Sequence, residues 1–441
     1  MTTTTLSNVA LNNQTLRAVD RPHAVYLHVP FCHHRCAYCD FNIYADQPAL
    51  HEAYVRAMAE EIAATASQVG RVRVPTIYFG GGTPSLLPAE LIGGLLTAVR
   101  TFFDVDGDAE ITLEANPAVQ DARSAMRDAG GKRQDARGHA YFAQLRALGV
   151  NRLSLGVQSS HADELHLLRR GHTFDHAVAT YQAARDAGVE NINLDVIYGL
   201  PNQPLERWRE TLQRVIDLQP EHISAYSLQV EEGTALFNWV RDGKVPEPED
   251  EVVAEMYEVT QAMLAEAGYE HYEISNWAAG MQEARGRRQV DRRSRHNLVY
   301  WRNKAYFGFG CGAHSSHAGQ RYWNMLKPRE YIAAIEATGE AVAERETIDR
   351  ALEIGETLML GLRLIDEGLD RTQFAARFGV ELDAVYGSIV ARLVEQGLIE
   401  DLPDRIRLTA RGRLMGNRVF AEFLPEPAKH PRQTASGKET R

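Results

Sequence analysis

Tyr26 to Phe41 reads YLHVPFCHHRCAYCDF, and this short stretch carries three of the chain's four cysteines, Cys32, Cys36 and Cys39. Thiolates are soft ligands that select iron–sulfur clusters, zinc or cuprous copper. A structural zinc ion or a plain ferredoxin cluster takes four protein ligands, and only three thiols are near. The fourth, Cys311 in GFGCGAHSS, is far downstream and reads as a small packed residue. Three thiolates on a four-iron cluster leave one iron open, as catalytic metal sites keep a position that structural sites close. From the same residues the alternative is a zinc site completed by His28, His33 or His34.

At 441 residues the chain exceeds what one core usually holds, so one main and one accessory domain are expected. With 44% hydrophobic and 24% charged residues it has an ordinary globular composition. No apolar run approaches the ~18 residues of a membrane span. The start, MTTTTLSNVALNNQTLRAVD, lacks the basic and apolar regions of a secretory signal. The expected location is cytoplasmic, with no transmembrane segment and peripheral membrane contact left open. A net charge of -11 opposes wholesale attraction to nucleic acid, although RGRRQVDRRSR, Arg285 to Arg295, is a local basic patch that reads first as a solvated loop. Four cysteines in so long a chain do not form a disulfide framework.

Outward from the cysteine loop, short apolar runs alternate with longer amphipathic ones. AVYLHV is a first strand, ending at Pro30. VPTIYFGGGTPSLL, DAEITLEANP, NRLSLGVQS, NINLDVIYGLP and HISAYSLQV are five more. Between them ALHEAYVRAMAEEIAATASQV, ELIGGLLTAVRTFF, YFAQLRALGV, DHAVATYQAARDAGV and LERWRETLQRVIDLQP have helical spacing. The polar string from Ala118 to Ala140 reads as a surface insertion. Six strand–helix units predict an α/β sheet or barrel, whose ligands gather at the carboxyl ends of its strands. After about residue 345 three helices and a short ribbon resemble a winged-helix module. The expected division is a polar disordered tail at 1–22, an α/β core with a carboxyl-terminal extension at 23–345, a winged-helix-like α+β domain at 346–424, and a second disordered tail at 425–441.

Several polar residues stand at or just past strand ends. GGGTP, Gly80 to Pro84, lets the backbone approach a ligand and offer its amides. Glu114, Gln158 and Asp195 end or line successive strands, and Arg170 lies in the segment after the fourth. Carboxylates accept from ribose or ammonium groups, and arginine clamps a carboxylate.

The ordered set YLHVPFCHHRCAYCDF, YFGGGTPSLL, EANP, NRLSLGVQS, LDVIYGLP, YEISNWA and HNLVYWRNKAYFGFGCGAHS resembles the oxygen-independent coproporphyrinogen oxidase-like family of the radical S-adenosylmethionine (SAM) superfamily, from about Val25 to about Phe423. The resemblance implies a partial (β/α)6 barrel and a [4Fe-4S] cluster on Cys32, Cys36 and Cys39, with SAM chelating the open iron. It also implies SAM contacts at Tyr26, Tyr38, Gly81, Gly82, Thr83, Glu114, Gln158, Arg170 and Asp195.

Within that family the oxidases carry a further cysteine where this chain has Phe41, together with a longer amino-terminal segment; CDF here looks like the heme-chaperone branch. The motif HNLVYW, His296 to Trp301, points the same way. Imidazole is a good axial ligand for heme iron, tyrosine ligates or hydrogen-bonds, and tryptophan offers an apolar face, so His296, Asn297, Tyr300 and Trp301 are the candidate heme contacts. Arg292, Arg293 and Arg295 are candidates for heme propionates, and His314 and His317 are rival ligands. The expected function is heme chaperone, with decarboxylation of coproporphyrinogen III through a 5'-deoxyadenosyl radical as the alternative, so whether the chain is an enzyme stays open. A nucleic-acid binder with a structural zinc is opposed by the acidic charge. The implied partners are heme, a heme-acceptor protein and an electron donor of flavodoxin or ferredoxin type, in a monomer or homodimer.

Overall fold

Six strands follow one another in chain order across a parallel sheet: β1 (Ala24–Val29), β2 (Arg73–Gly81), β3 (Asp104–Ala115), β4 (Arg152–Gln158), β5 (Ile192–Tyr198) and β6 (His222–Ser227). The computed structural model describes residues 22–117, 132–280 and 291–425, with backbone alone for 132–137. Each strand alternates, as a half-polar pleat must. Leu27, Phe79, Leu113, Leu155, Leu194 and Ile223 join the apolar core. Their neighbours Tyr78, Glu114, Ser154, Asn193, Asp195 and Ser224 instead bond to one another from strand to strand. The result is a partial (β/α)6 barrel with a polar lumen.

The connecting helices lie close to their expected spans, for example His51–Val69, Ala89–Phe102, Phe174–Asp186 and Leu205–Ile216. Gly70 closes the first at φ 78, a conformation in which a glycine pays no Cβ penalty. Thr173 and His176 form a capping box at the start of Phe174–Asp186. One helix begins earlier than its apolar spacing suggested: it spans Lys132–Ala147, so the end of the expected insertion is helical. Residues 118–131 of that insertion lie outside the described residues.

The extension after β6 holds more structure than the sequence suggested. Helices Ala235–Arg241 and Asp250–Glu266 precede β7 (Tyr269–Glu273) and β8 (Asn276–Ala279), and β8 pairs antiparallel with β6. At the other edge β9 (Tyr306–Phe309) runs parallel to β1 and is followed by antiparallel β10 (His314–His317), β11 (Gln320–Asn324) and β12 (Val342–Thr347). Among the described residues the sheet therefore has 12 strands.

A second unit comprises, among the described residues, Trp301–Asn303 together with 348–425. Its helices Arg350–Gly361, Arg371–Phe378 and Leu382–Glu395 accompany a small sheet of β13 (Leu369–Asp370), β14 (Ile399–Asp401) and β15 (Arg405–Leu408), with β15 central. Phe374, Leu393 and Ile406 are buried in it, and the arrangement is winged-helix-like. Of the expected tails, residues 1–21 and 426–441 lie outside the described residues.

Candidate metal and cofactor centre

β1 delivers the chain to Pro30, and Phe31–Cys32 then pairs in parallel with Tyr44–Ala45, closing the cysteine loop on itself. Arg35 lies across the loop, donating from Nη1 to the carbonyls of Cys39 (3.1 Å) and Phe41 (3.3 Å) and from Nη2 to that of Ile43 (2.7 Å). Buried Ala37 accepts from Leu236 N at 2.8 Å and donates to Leu168 O at 3.0 Å. These bonds fix the backbone and leave the three thiols half-buried and free of disulfides.

Two thiols have polar neighbours. Cys32 Sγ lies 3.5 Å from Thr83 Oγ1, and Cys36 Sγ lies 3.4 Å from the Arg170 Nη1 that donates to it. Burial pushes the Cys39 thiol up to about 11 and raises Cys32 as well; a bound cation would oppose that shift, because metal ligands are thiolates. Among the described residues no three His, Cys, Asp or Glu side chains close on one point as a single metal ion requires. Thiols on three corners of a cluster need no such point. Both ring nitrogens of His28 are engaged, by Tyr26 OH (3.1 Å) and Asn42 O (2.9 Å), whereas His34 uses only Nε2, on Arg169 O (2.7 Å), so of the zinc alternative's histidines His28 is the one already spent. Gly82 completes the cradle: a Cβ there would stand 2.6 Å from Phe31 O. The donor set and the close backbone approach fit a cluster on this loop.

The other expected cofactor residues are disposed along the strand ends. Gly81 closes β2 with φ 108, and its amide donates to Glu114 Oε2 at 3.2 Å. Glu114 Oε1 accepts from Tyr78 OH at 2.8 Å, and burial pushes the carboxyl up to about 7. Deeper on β5, Asp195 accepts from Ser154 Oγ (2.9 Å) and Asn193 Nδ2 (2.8 Å) and is also raised by burial. Gln158 ends β4 at φ 69, where the register to β5 shifts; such an outlier typically costs ~1–3 kcal/mol and re-aims a side chain. Arg170 reaches back to Gly156 O at 3.0 Å and to Asn116 Oδ1. Tyr26 stacks near Tyr78, with centroids 6.1 Å apart. Burial raises Tyr38, whose field includes Arg170, Cys36 and Asp195.

HNLVYW forms the helix Arg295–Trp301. Glu110 receives the amides of Arg295 (3.1 Å) and His296 (2.9 Å), holding the helix's first turn against the middle of β3. His296 is 1% exposed, with Nδ1 3.0 Å from Thr76 Oγ1 and Nε2 3.0 Å from Tyr300 OH. Burial, then the Arg152 guanidinium, holds its ring at about 3, so it is neutral near pH 7. His296, Asn297 and Tyr300 belong to the barrel unit and Trp301 to the second, where Arg363 lies 4.3 Å over its ring. Arg292 donates to Glu190 O and Arg295 to Asp108 O, while Arg293 pairs with Asp291. His314 stacks on Trp323, and His317 meets His23 at 2.8 Å.

Sequence reasoning passed over three contributors. Asn116 stands in EANP beside the glutamate that drew notice, and it donates to Thr83 Oγ1 at 2.9 Å. Tyr78 lies inside VPTIYFGGGTPSLL without being singled out, and the strand's period of two places it in the lumen beside Glu114. Leu236 lies in the unread extension, and with Ala37, Leu168, Ile197, Leu200 and Leu228 it forms a second apolar cluster.

The Radical SAM superfamily model matches residues 26–215, and the HemN C-terminal domain model matches 348–415. The chain is similar to the heme chaperone HemW of Bacillus subtilis, 36% identical over 91% of this chain and 99% of that one. It is also similar to HemW of Mycobacterium tuberculosis, 34% identical over 92% and 95%, and to the mitochondrial radical S-adenosyl methionine domain-containing protein 1 of Danio rerio, 32% identical over 78% and 73%. Among solved structures, coproporphyrinogen III oxidase HemN of Escherichia coli, described as a radical SAM enzyme, superposes with a TM-score of 0.76 at 24% identity, covering 92% of this chain and 91% of that one.

Proposed function

The chain belongs to the HemW family of the radical SAM superfamily, and from that premise we propose that it is a heme chaperone, holding a [4Fe-4S] cluster and SAM in the barrel and passing heme to an acceptor protein. The observation that carries this reading is the similarity to proteins named heme chaperone over nearly their whole length. A cluster with one open iron supplies a chelating position for the amino and carboxylate groups of SAM and a one-electron couple.

On this reading Cys32, Cys36 and Cys39 hold the cluster, and the Gly81–Gly82 backbone admits the methionine end of SAM. Glu114 takes the ammonium, while Arg170 offers a cation to the carboxylate. Asp195 and Gln158 are left for ribose hydroxyls, with Tyr26 and Tyr38 as further SAM contacts. The apolar cluster around Ile197 and Leu236 packs against Ala37 and so backs the cysteine loop. Phe41, 64% exposed, stands where the resemblance places a further oxidase cysteine. His296 would meet heme iron through Nε2, which must first leave Tyr300.

No helix among the described residues is long and apolar enough to cross a membrane. The deciding experiment is an anaerobic assay of the reconstituted chain for protoporphyrinogen formation, run beside a heme titration. Stoichiometric heme binding without turnover is expected. Robust turnover without stoichiometric heme binding would overturn the reading in favour of the oxidase.

A further inference from the structure

Five side chains make a continuous path from one thiol of the loop to another. Thr83 Oγ1 lies 3.5 Å from Cys32 Sγ and accepts from Asn116 Nδ2 at 2.9 Å. Asn116 Oδ1 accepts from Arg170 Nη2, and Arg170 Nη1 lies 3.4 Å from Cys36 Sγ. The middle position needs a donor and an acceptor on one short planar head, which an asparagine amide supplies and a carboxylate does not. Because Thr83 already accepts from Asn116, its own hydroxyl proton is left for the sulfur of Cys32. Arg170 is held twice on its other side, by Asn116 and by Gly156 O at 3.0 Å, so Nη1 stays on Cys36.

We propose that Asn116 is a positioning residue: it aims Thr83 and Arg170 so that each donates to one cysteine sulfur, and it thereby sets the reduction potential of the cluster. This rests on the reading of Cys32 and Cys36 as cluster ligands. Hydrogen bonds to ligand sulfurs are among the levers that set such potentials, and residues behind the ligands orient them. Each donation offsets negative charge on sulfur and favours the reduced cluster, so its loss moves the potential to more negative values. Asn116 acts through two partners rather than by touching sulfur.

Asn116→Asp keeps the acceptor for Arg170 but has no N–H for Thr83, so the new carboxylate draws the Thr83 proton away from Cys32. The full chain, reconstituted anaerobically with iron and sulfide and without SAM, is assayed for iron and sulfide per chain and titrated under electron paramagnetic resonance. Expected are wild-type cluster content and a more negative potential for Asn116→Asp and for Thr83→Val. Thr83→Ser, which retains the hydroxyl, should titrate with wild type. Wild-type potentials in both Asn116→Asp and Thr83→Val, at full cluster content, would overturn the proposal. If Asn116→Asp holds no cluster, Asn116→Ala takes its place: a negative shift supports the proposal and an unchanged potential overturns it. A wild-type chain without iron and sulfide would defeat the underlying cluster reading instead, a result separable from a cluster that ignores Asn116.

Discussion

The Tyr78 hydroxyl donates to Glu114 Oε1 at 2.8 Å from the neighbouring strand, while burial holds that carboxyl at about 7. The ordinary value is 4.5, so between roughly pH 4.5 and pH 7 the folded chain keeps a proton that the unfolded chain has released. Stability from this group therefore falls as pH rises through that window. An incoming ammonium favours the carboxylate, so SAM binding should release the proton and tighten from pH 6 to pH 8. Calorimetric titration in two buffers of different ionisation enthalpy measures both effects. Glu114→Gln should flatten the pH profile, weaken SAM about 10-fold or more as a charge-assisted bond is lost, and raise thermal stability relative to wild type at pH 8 but not at pH 5.

Cys32→Ala, Cys36→Ala and Cys39→Ala should each lose most iron and sulfide after reconstitution. Cys311→Ser should retain both. Cys311 is buried against Tyr54 and Asn42, and burial holds its thiol at about 12, so its loss should appear as a lower melting temperature. Colorimetric iron and sulfide analysis beside a melting curve separates the two behaviours.

For His296 the structure turns the heme proposal into a competition. Nε2 is committed to Tyr300 OH at 3.0 Å, a bond worth about 0.5–1.5 kcal/mol net. Tyr300→Phe removes the competitor and should tighten heme binding roughly 2- to 10-fold. His296→Ala should abolish stoichiometric binding while cluster content holds. Heme titrations followed by the Soret band check both; unchanged affinity in the pair assigns the iron elsewhere and leaves His296 as packing between Thr76 and Tyr300.

Gly82→Ala would drive a Cβ to 2.6 Å from Phe31 O and 2.8 Å from Pro30 C, against backbone rather than a flexible side chain. The expected result is a folded chain by circular dichroism, destabilised by about 1–3 kcal/mol, with a cysteine loop displaced enough to take up less iron.

Much of this was readable beforehand, for reasons that particular residues make plain. AVYLHV and NRLSLGVQS gave strands because their buried residues mark an element whatever face they take. The cysteine spacing gave the loop because soft ligands are scarce in this chain. HSSH and QRYWN hid β10 and β11, whose formation depends on pairing with β9, with each other and with β12 rather than on local propensity. Asn116 was invisible as a contributor since its value lies in two partners, Thr83 and Arg170, that are distant in sequence. His296 was singled out for the chemistry of its ring, but spacing says nothing of depth, and the fold supplied the Thr76 and Tyr300 bonds.

The pleat of the barrel strands separates two kinds of inheritance. Outward residues such as Leu113, Leu155 and Leu194 answer to the helices that cover them, so changes there are judged by melting. Inward neighbours such as Glu114, Ser154 and Asp195 answer to the polar groups of adjoining strands, Tyr78, Gly81 and Asn193 among them, and to whatever enters. A descendant could repaint that inner wall strand by strand for a new cargo, and the outer shell would register almost none of it.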